Sequence, residues 1–97
     1  MEDLGLGRFQ RMIEAIYLRR DAGRGLEGTA LWFLEEVGEL LRAIRRGDTQ
    51  GLAGEFADVL AWLVTLGSLT GVEVGRAALE KYGHGCPKCG ATPCACP

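Results

Sequence analysis

The sequence predicts an all-α protein: an antiparallel helical hairpin with flanking helices, four-helix-bundle-like, ending in a short cysteine-rich tail. Three observations predict it. Apolar residues recur at spacings of three and four in successive windows, Gly, Asp and Thr punctuate those windows, and no stretch shows the strict alternation of a half-buried strand.

Phe9, Met12, Ile13, Ile16 and Tyr17 place a first helix over about Leu6 to Arg20. The segment DAGRGLEG, rich in small residues and without a periodic face, is expected to break it. Thr29 then suits the N-cap of a second helix, whose Ala30, Leu34, Val37, Leu41 and Ile44 make one apolar seam. Arg42, Arg45 and Arg46 crowd its last turn, where cations complement the helix dipole, and Gly47 ends it. Asp48 or Thr49 can cap a third helix running from about Leu52 to Leu69. Phe56, Val59, Leu60, Trp62, Leu63, Val64 and Leu66 make that helix apolar on nearly every side, more than one partner helix can cover. Completion by homo-oligomerisation, as a dimer or tetramer, is therefore expected. A shorter fourth helix spans Val72 to Tyr82, which divides the chain into a helical domain, 1–83, and a tail, 84–97.

Composition narrows the function. The 97 residues are 47% hydrophobic and 25% charged with a formal net charge of −2. A general nucleic-acid binder is usually basic, so that class is disfavoured. The start, MEDLGLGRFQ, has neither the basic region nor the apolar run of a signal peptide. The longest mostly apolar stretch, Val59 to Val72, is short for a bilayer and carries Gly, Ser and Thr. A cytoplasmic protein with no membrane partner is the expectation.

The stretch LEEVGEL sets Glu35, Glu36 and Glu39 inside an otherwise apolar run. At about 100° per residue, Trp32, Glu36 and Glu39 form a strip along one flank of the seam, and Glu55, Asp58 and Trp62 form another on the third helix. In an antiparallel hairpin that turns at Gly47, residues equally far from the turn lie at the same height. Glu39 and Glu55 are eight residues to either side, Glu36 and Asp58 eleven, and Trp32 and Trp62 fifteen. Two levels of paired acids thus lie beneath a level of two tryptophans. Carboxylates paired at close range repel unless one protonates or a cation joins them, and a hard, oxygen-seeking dication such as Mg²⁺ fits. Read singly, each acid is also compatible with a solvated helix flank, Glu39 with an i,i+3 pair to Arg42, and the tryptophans with core packing.

Glu35, Glu36 and Glu39, followed after fifteen residues by Glu55 and Asp58, resemble the E-E-x-x-E and E-x-x-D signature of the MazG-like nucleotide pyrophosphohydrolases. The flanking VGEL and FADVLAWL and the later GVEVGRAALEKY are similar to that family's surroundings, so the resemblance spans about Phe9 to Tyr82. It implies Mg²⁺-dependent hydrolysis of a nucleoside triphosphate substrate between its α and β phosphates, releasing a monophosphate and pyrophosphate to keep nucleotide pools clean. It implies Glu36, Glu39, Glu55 and Asp58 as Mg²⁺ ligands and Glu35 as the group orienting or deprotonating the attacking water. Trp32 and Trp62 would flank the base or close the pocket floor, and Lys81 would steady a phosphate or remain a solvated helix-end lysine. One departure is plain: the polar residues expected after the lysine, often including an asparagine, are missing, and the chain contains no Asn. Phosphoribosyl-ATP pyrophosphohydrolases share the acid motif, but no Ser-Tyr-Thr element precedes the acids here. The non-enzymatic alternative is a helical interaction module with a zinc knuckle.

The tail, HGCPKCGATPCACP, holds all four cysteines. C-P-x-C-G looks like one knuckle of a zinc ribbon, with the second pair arriving as C-x-C after four residues rather than much later. Cys86, Cys89, Cys94 and Cys96 can enclose a structural Zn²⁺ if the backbone turns sharply at Gly90 and Pro93. A reduced flexible tail and a redox pair are the other readings, and His84 is a substitute ligand or a helix-end residue.

Overall fold

The computed structural model describes residues 4–97, so the first three residues of the leading segment lie outside the described residues. Four helices follow in order: α1 Leu6–Arg24, α2 Leu26–Arg46, α3 Thr49–Thr70 and α4 Val74–Tyr82, with no strand among the described residues. Helices α2 and α3 pack against each other most extensively, α1 lies across both, and α4 packs on α1.

The joints follow from local chemistry. Gly47, in the left-handed conformation at φ 69°, closes α2. Its amide donates to Ile44 O at 3.1 Å and the Asp48 amide to Ala43 O at 3.0 Å, the paired bonds that satisfy orphan carbonyls at a helix end. The Asp48 carboxylate then caps α3 by accepting from the Gly51 amide at 3.0 Å. Gly71 closes α3 in the same way, with Val72 N donating to Gly67 O at 2.7 Å. Glu73 caps α4 by accepting from Arg76 N at 2.6 Å, which moves the start of α4 to Val74 rather than Val72.

The first joint differs from the sequence expectation. DAGR does not break α1 but continues it to Arg24, and one residue, Gly25 at φ 89°, ends α1 and opens α2. An L side chain rarely adopts that φ, which is why the turn falls on a glycine. Thr29 is not a cap. It is fully buried inside α2, its hydroxyl donating to Gly25 O at 2.8 Å. The buried Asp21 pairs with Arg24 at 2.9 Å, tying the extra turn of α1 down.

The face that α2 buries also differs. Thr29, Leu40 and Ala43 are buried and Phe33 and Glu36 half-buried, so the inward stripe passes through an acid. The apolar seam is largely turned outward: Leu34 is 67% exposed, Leu41 59% and Ile44 50%, while Val37 is half-buried. On α3, Phe56 and Leu63 are exposed as well. The buried apolar core among the described residues is small, made by Ile13, Leu40, Ala43 and Val64. Helix α3, 22 residues long, is by length and composition long and apolar enough to cross a membrane, unlike the shorter stretch read from the sequence. Within the chain it is the hairpin partner of α2.

A polar knot holds α1 to the far end of α3. The buried Gln10 donates from Nε2 to Ser68 Oγ at 3.1 Å and to Val72 O at 2.9 Å, and its Oε1 accepts from Val74 N at 2.9 Å. Gly67 permits this approach, because a Cβ there would meet Val74 Cγ2 at 2.5 Å and Gln10 Nε2 at 3.1 Å. One side chain thus joins three helices.

Candidate active site

The inward stripe of α2 carries Glu36 and Glu39 toward α3, and α3 returns Glu55. One carboxylate oxygen from each lies within 4.8 Å of the others. All three residues are half-buried, and Glu36 Oε2 and Glu55 Oε2 are enclosed without any hydrogen-bond partner. Burial first, and then the charges of Glu39, Asp58 and Glu55, hold the Glu36 carboxyl above its ordinary pKa. Glu55 is raised likewise by burial, then by Glu39, Asp58 and Asp48. Enclosed acceptor oxygens without donors, crowded by like charge, fit a cation.

Beside the acids opens a cavity of about 600 Å³, within the range of small-ligand sites. Glu36 and Asp58 line it, so Asp58 faces the same space although it stands outside the tight cluster of three. Trp32 and Trp62, equidistant from Gly47, stack with ring centroids 6.0 Å apart and planes 10° from parallel. The hairpin register read from the sequence is therefore the one that forms.

A second wall of the cavity comes from α1, which the sequence does not mark as part of the site. Tyr17, Arg20, Asp21 and Arg24 line it. The Arg24 guanidinium lies 5.0 Å from the Trp62 ring centroid, a cation on an aromatic face, while its ion pair with Asp21 fixes its position. The i,i+3 spacing of Asp21 and Arg24 was the available signal. It was masked by the glycines around it.

Glu35 is exposed, about 100° around α2 from Glu36, and belongs to neither the cluster nor the cavity wall. Lys81 is exposed on α4 with its ammonium 5.7 Å from the Tyr82 ring centroid, and the cations on the cavity wall are Arg20 and Arg24 instead.

The four cysteines also converge, their sulfurs within 4.8 Å of one another. The backbone amides of Cys89 and Lys88 bring the Cys86 thiol down to about 6. The Cys96 thiol, hydrogen-bonding to the sulfurs of Cys94, Cys86 and Cys89, is pushed up to about 11.

An all-α hairpin with acids facing across it beside an aromatic cavity is the frame of a class of nucleotide hydrolases. The chain belongs to that class by descent as well: residues 24–90 match the MazG nucleotide pyrophosphohydrolase domain, and the protein is a member of that family. Such enzymes act on nucleotides and generally depend on a divalent metal. The match begins at Arg24, so most of α1 and its contribution to the cavity lie outside it. No curated protein sequence gives a significant match.

Proposed function

We propose that the protein is a Mg²⁺-dependent nucleoside triphosphate pyrophosphohydrolase, cleaving NTP or dNTP to the monophosphate and pyrophosphate. The observation that carries the reading is the pair of enclosed, unpartnered oxygens of Glu36 and Glu55, placed beside a cavity with a stacked tryptophan pair. A structural acid pair would be expected to find donors or protonate, whereas a metal site keeps its acceptors free.

In this reading Glu36, Glu39 and Glu55 hold Mg²⁺, with Asp58 completing the set from the cavity side. The bound ion would neutralise phosphate oxygens and lower the pKa of a coordinated water. The tryptophans receive the base by stacking, a recognition that tolerates any base. Arg24, fixed by Asp21 and seated on Trp62, orients the ring that meets the base, and Arg20 offers a second cation to the triphosphate. Glu35 lies outside both the acid cluster and the cavity wall, so the water-activating role that the resemblance implies is not assigned to it within one chain.

The enzyme works as an oligomer. The outward seam of Leu34, Leu41 and Ile44, together with Phe56 and Leu63, is apolar surface that a second copy of the chain would cover. Sedimentation at micromolar concentration should give a dimer or tetramer, and a folded monomer would contradict this.

Pyrophosphate release across a panel of ribo- and deoxyribonucleoside triphosphates, with and without Mg²⁺, tests the main proposal. Metal-dependent release from at least one of them supports it. Release of orthophosphate alone, or no hydrolysis by the folded oligomer, overturns it.

A further inference from the structure

We propose that the loop Cys86 to Cys96 is a structural tetrathiolate site for one Zn²⁺ per chain, independent of the acid site. The evidence is geometric. A tetrahedral ion with Zn–S bonds of about 2.3 Å holds its sulfurs about 3.8 Å apart. Here Cys86 Sγ lies 3.7 Å from Cys96 Sγ and 3.6 Å from Cys94 Sγ, and all four sulfurs fall within 4.8 Å. These separations are far beyond the S–S bond of a disulfide, and the four cysteines are free.

The backbone is arranged around the sulfurs. The Cys86 amide donates to Ala91 O at 3.0 Å and the Gly90 amide to Cys86 O at 2.7 Å, closing the first turn. Gly90, at φ 73°, takes the conformation that this turn requires. The second pair is set by Ala95 N donating to Cys89 Sγ at 3.3 Å and Cys96 N donating to Cys94 Sγ at 3.4 Å. Amides directed at sulfur stabilise thiolates, the form in which cysteine binds a metal. Within eleven consecutive residues there is no helix or strand to explain the convergence by packing, and three of the four cysteines are exposed.

The chemistry selects the ion. Thiolates are soft donors suited to zinc, while the carboxylates of the hairpin are hard donors, so the thiolate site has little affinity for Mg²⁺. Exposure favours an ion without redox chemistry, because no apolar shell shields this site. Four protein ligands leave no open position, which makes the site structural. The family match stops at residue 90, between the two cysteine pairs, so the completed site is a feature of this chain rather than of the matched domain.

The test is metal analysis of the full chain purified under reducing conditions, paired with cobalt substitution. The expected result is one zinc per chain and, for the cobalt form, the intense near-ultraviolet charge-transfer bands of thiolate coordination. Cys94→Ser and Cys86→Ser should each weaken zinc retention at least about tenfold while leaving helical circular dichroism and Mg²⁺-dependent turnover unchanged. A folded, reduced protein without zinc whose four thiols all react freely overturns the proposal. So does iron in place of zinc, or cobalt bands unchanged in both serine variants.

Discussion

The two clusters of ligand-type side chains are built in opposite ways. Glu36, Glu39 and Glu55 come from two helices and meet only because α2 and α3 pair in one register, whereas the four thiols come from a single loop of eleven residues. The acids are half-buried with two oxygens lacking any partner, while the sulfurs are largely exposed and accept backbone amides. A site assembled from distant parts of a core must be tolerated when empty, and here that tolerance shows as raised carboxyl pKa values. A local site asks nothing of the core. The helical bundle should therefore feel changes at the acids and be indifferent to changes at the thiols.

The sharpest way to break this contrast is through activity. Glu36→Gln or Asp58→Asn should lower Mg²⁺-dependent pyrophosphate release more than about 100-fold, since direct ligands matter more than their outer partners. The cysteine variants should leave it alone. Equal losses in both sets would show that the two sites are coupled.

A second test loosens the bundle itself. Gln10→Leu leaves Val74 N and Val72 O without their partner, removes one of the two hydrogen bonds of Ser68 Oγ, and should destabilise the fold by roughly 2–3 kcal/mol in denaturant titration. Zinc content should not follow, because no hydrogen bond from the loop reaches α1 or α3 among the described residues. A smaller loss, about 1 kcal/mol, is expected for Asp48→Ala, which removes the cap of α3. It should lower stability without altering which acids face each other, because Gly47 still sets the turn.

The smallest expected effect is on pH dependence. Glu36 and Glu55 have folded pKa values raised above the ordinary 4.5, so the folded state holds their protons more tightly than the unfolded chain does. Their contribution is fully present below that ordinary value and is lost as pH rises through the raised folded values. Metal-free protein should therefore lose stability along a shallow slope above pH 4.5, and Mg²⁺ should flatten it. The slope is shallow because neither side chain is fully enclosed.

Much of this was legible in the sequence for a physical reason. A helical hairpin with one glycine at its turn has a single arithmetic of facing residues, and Trp32 with Trp62 obeys it. The outward seam was harder to read. Periodicity marks Leu34, Leu41 and Ile44 for burial but does not say whether the cover is the same chain or another, and α2 instead turns Thr29, Glu36, Leu40 and Ala43 inward. The α1 share of the cavity was missed because small residues in DAGR hide a helical turn held by one ion pair. Ranking residues by hydrophobicity alone overlooks such polar ties.

Under the proposed function, the half-buried acids of the hairpin are cation ligands rather than a solvated helix flank. Thermal melting of metal-free protein against increasing Mg²⁺, for the wild type and Glu36→Gln, tests it most directly. The wild type should rise saturably in melting temperature, and the variant should start higher and respond far less, having lost both the repulsion and the ligand. A wild type indifferent to Mg²⁺, or a variant that rises as much as the wild type, would contradict the account.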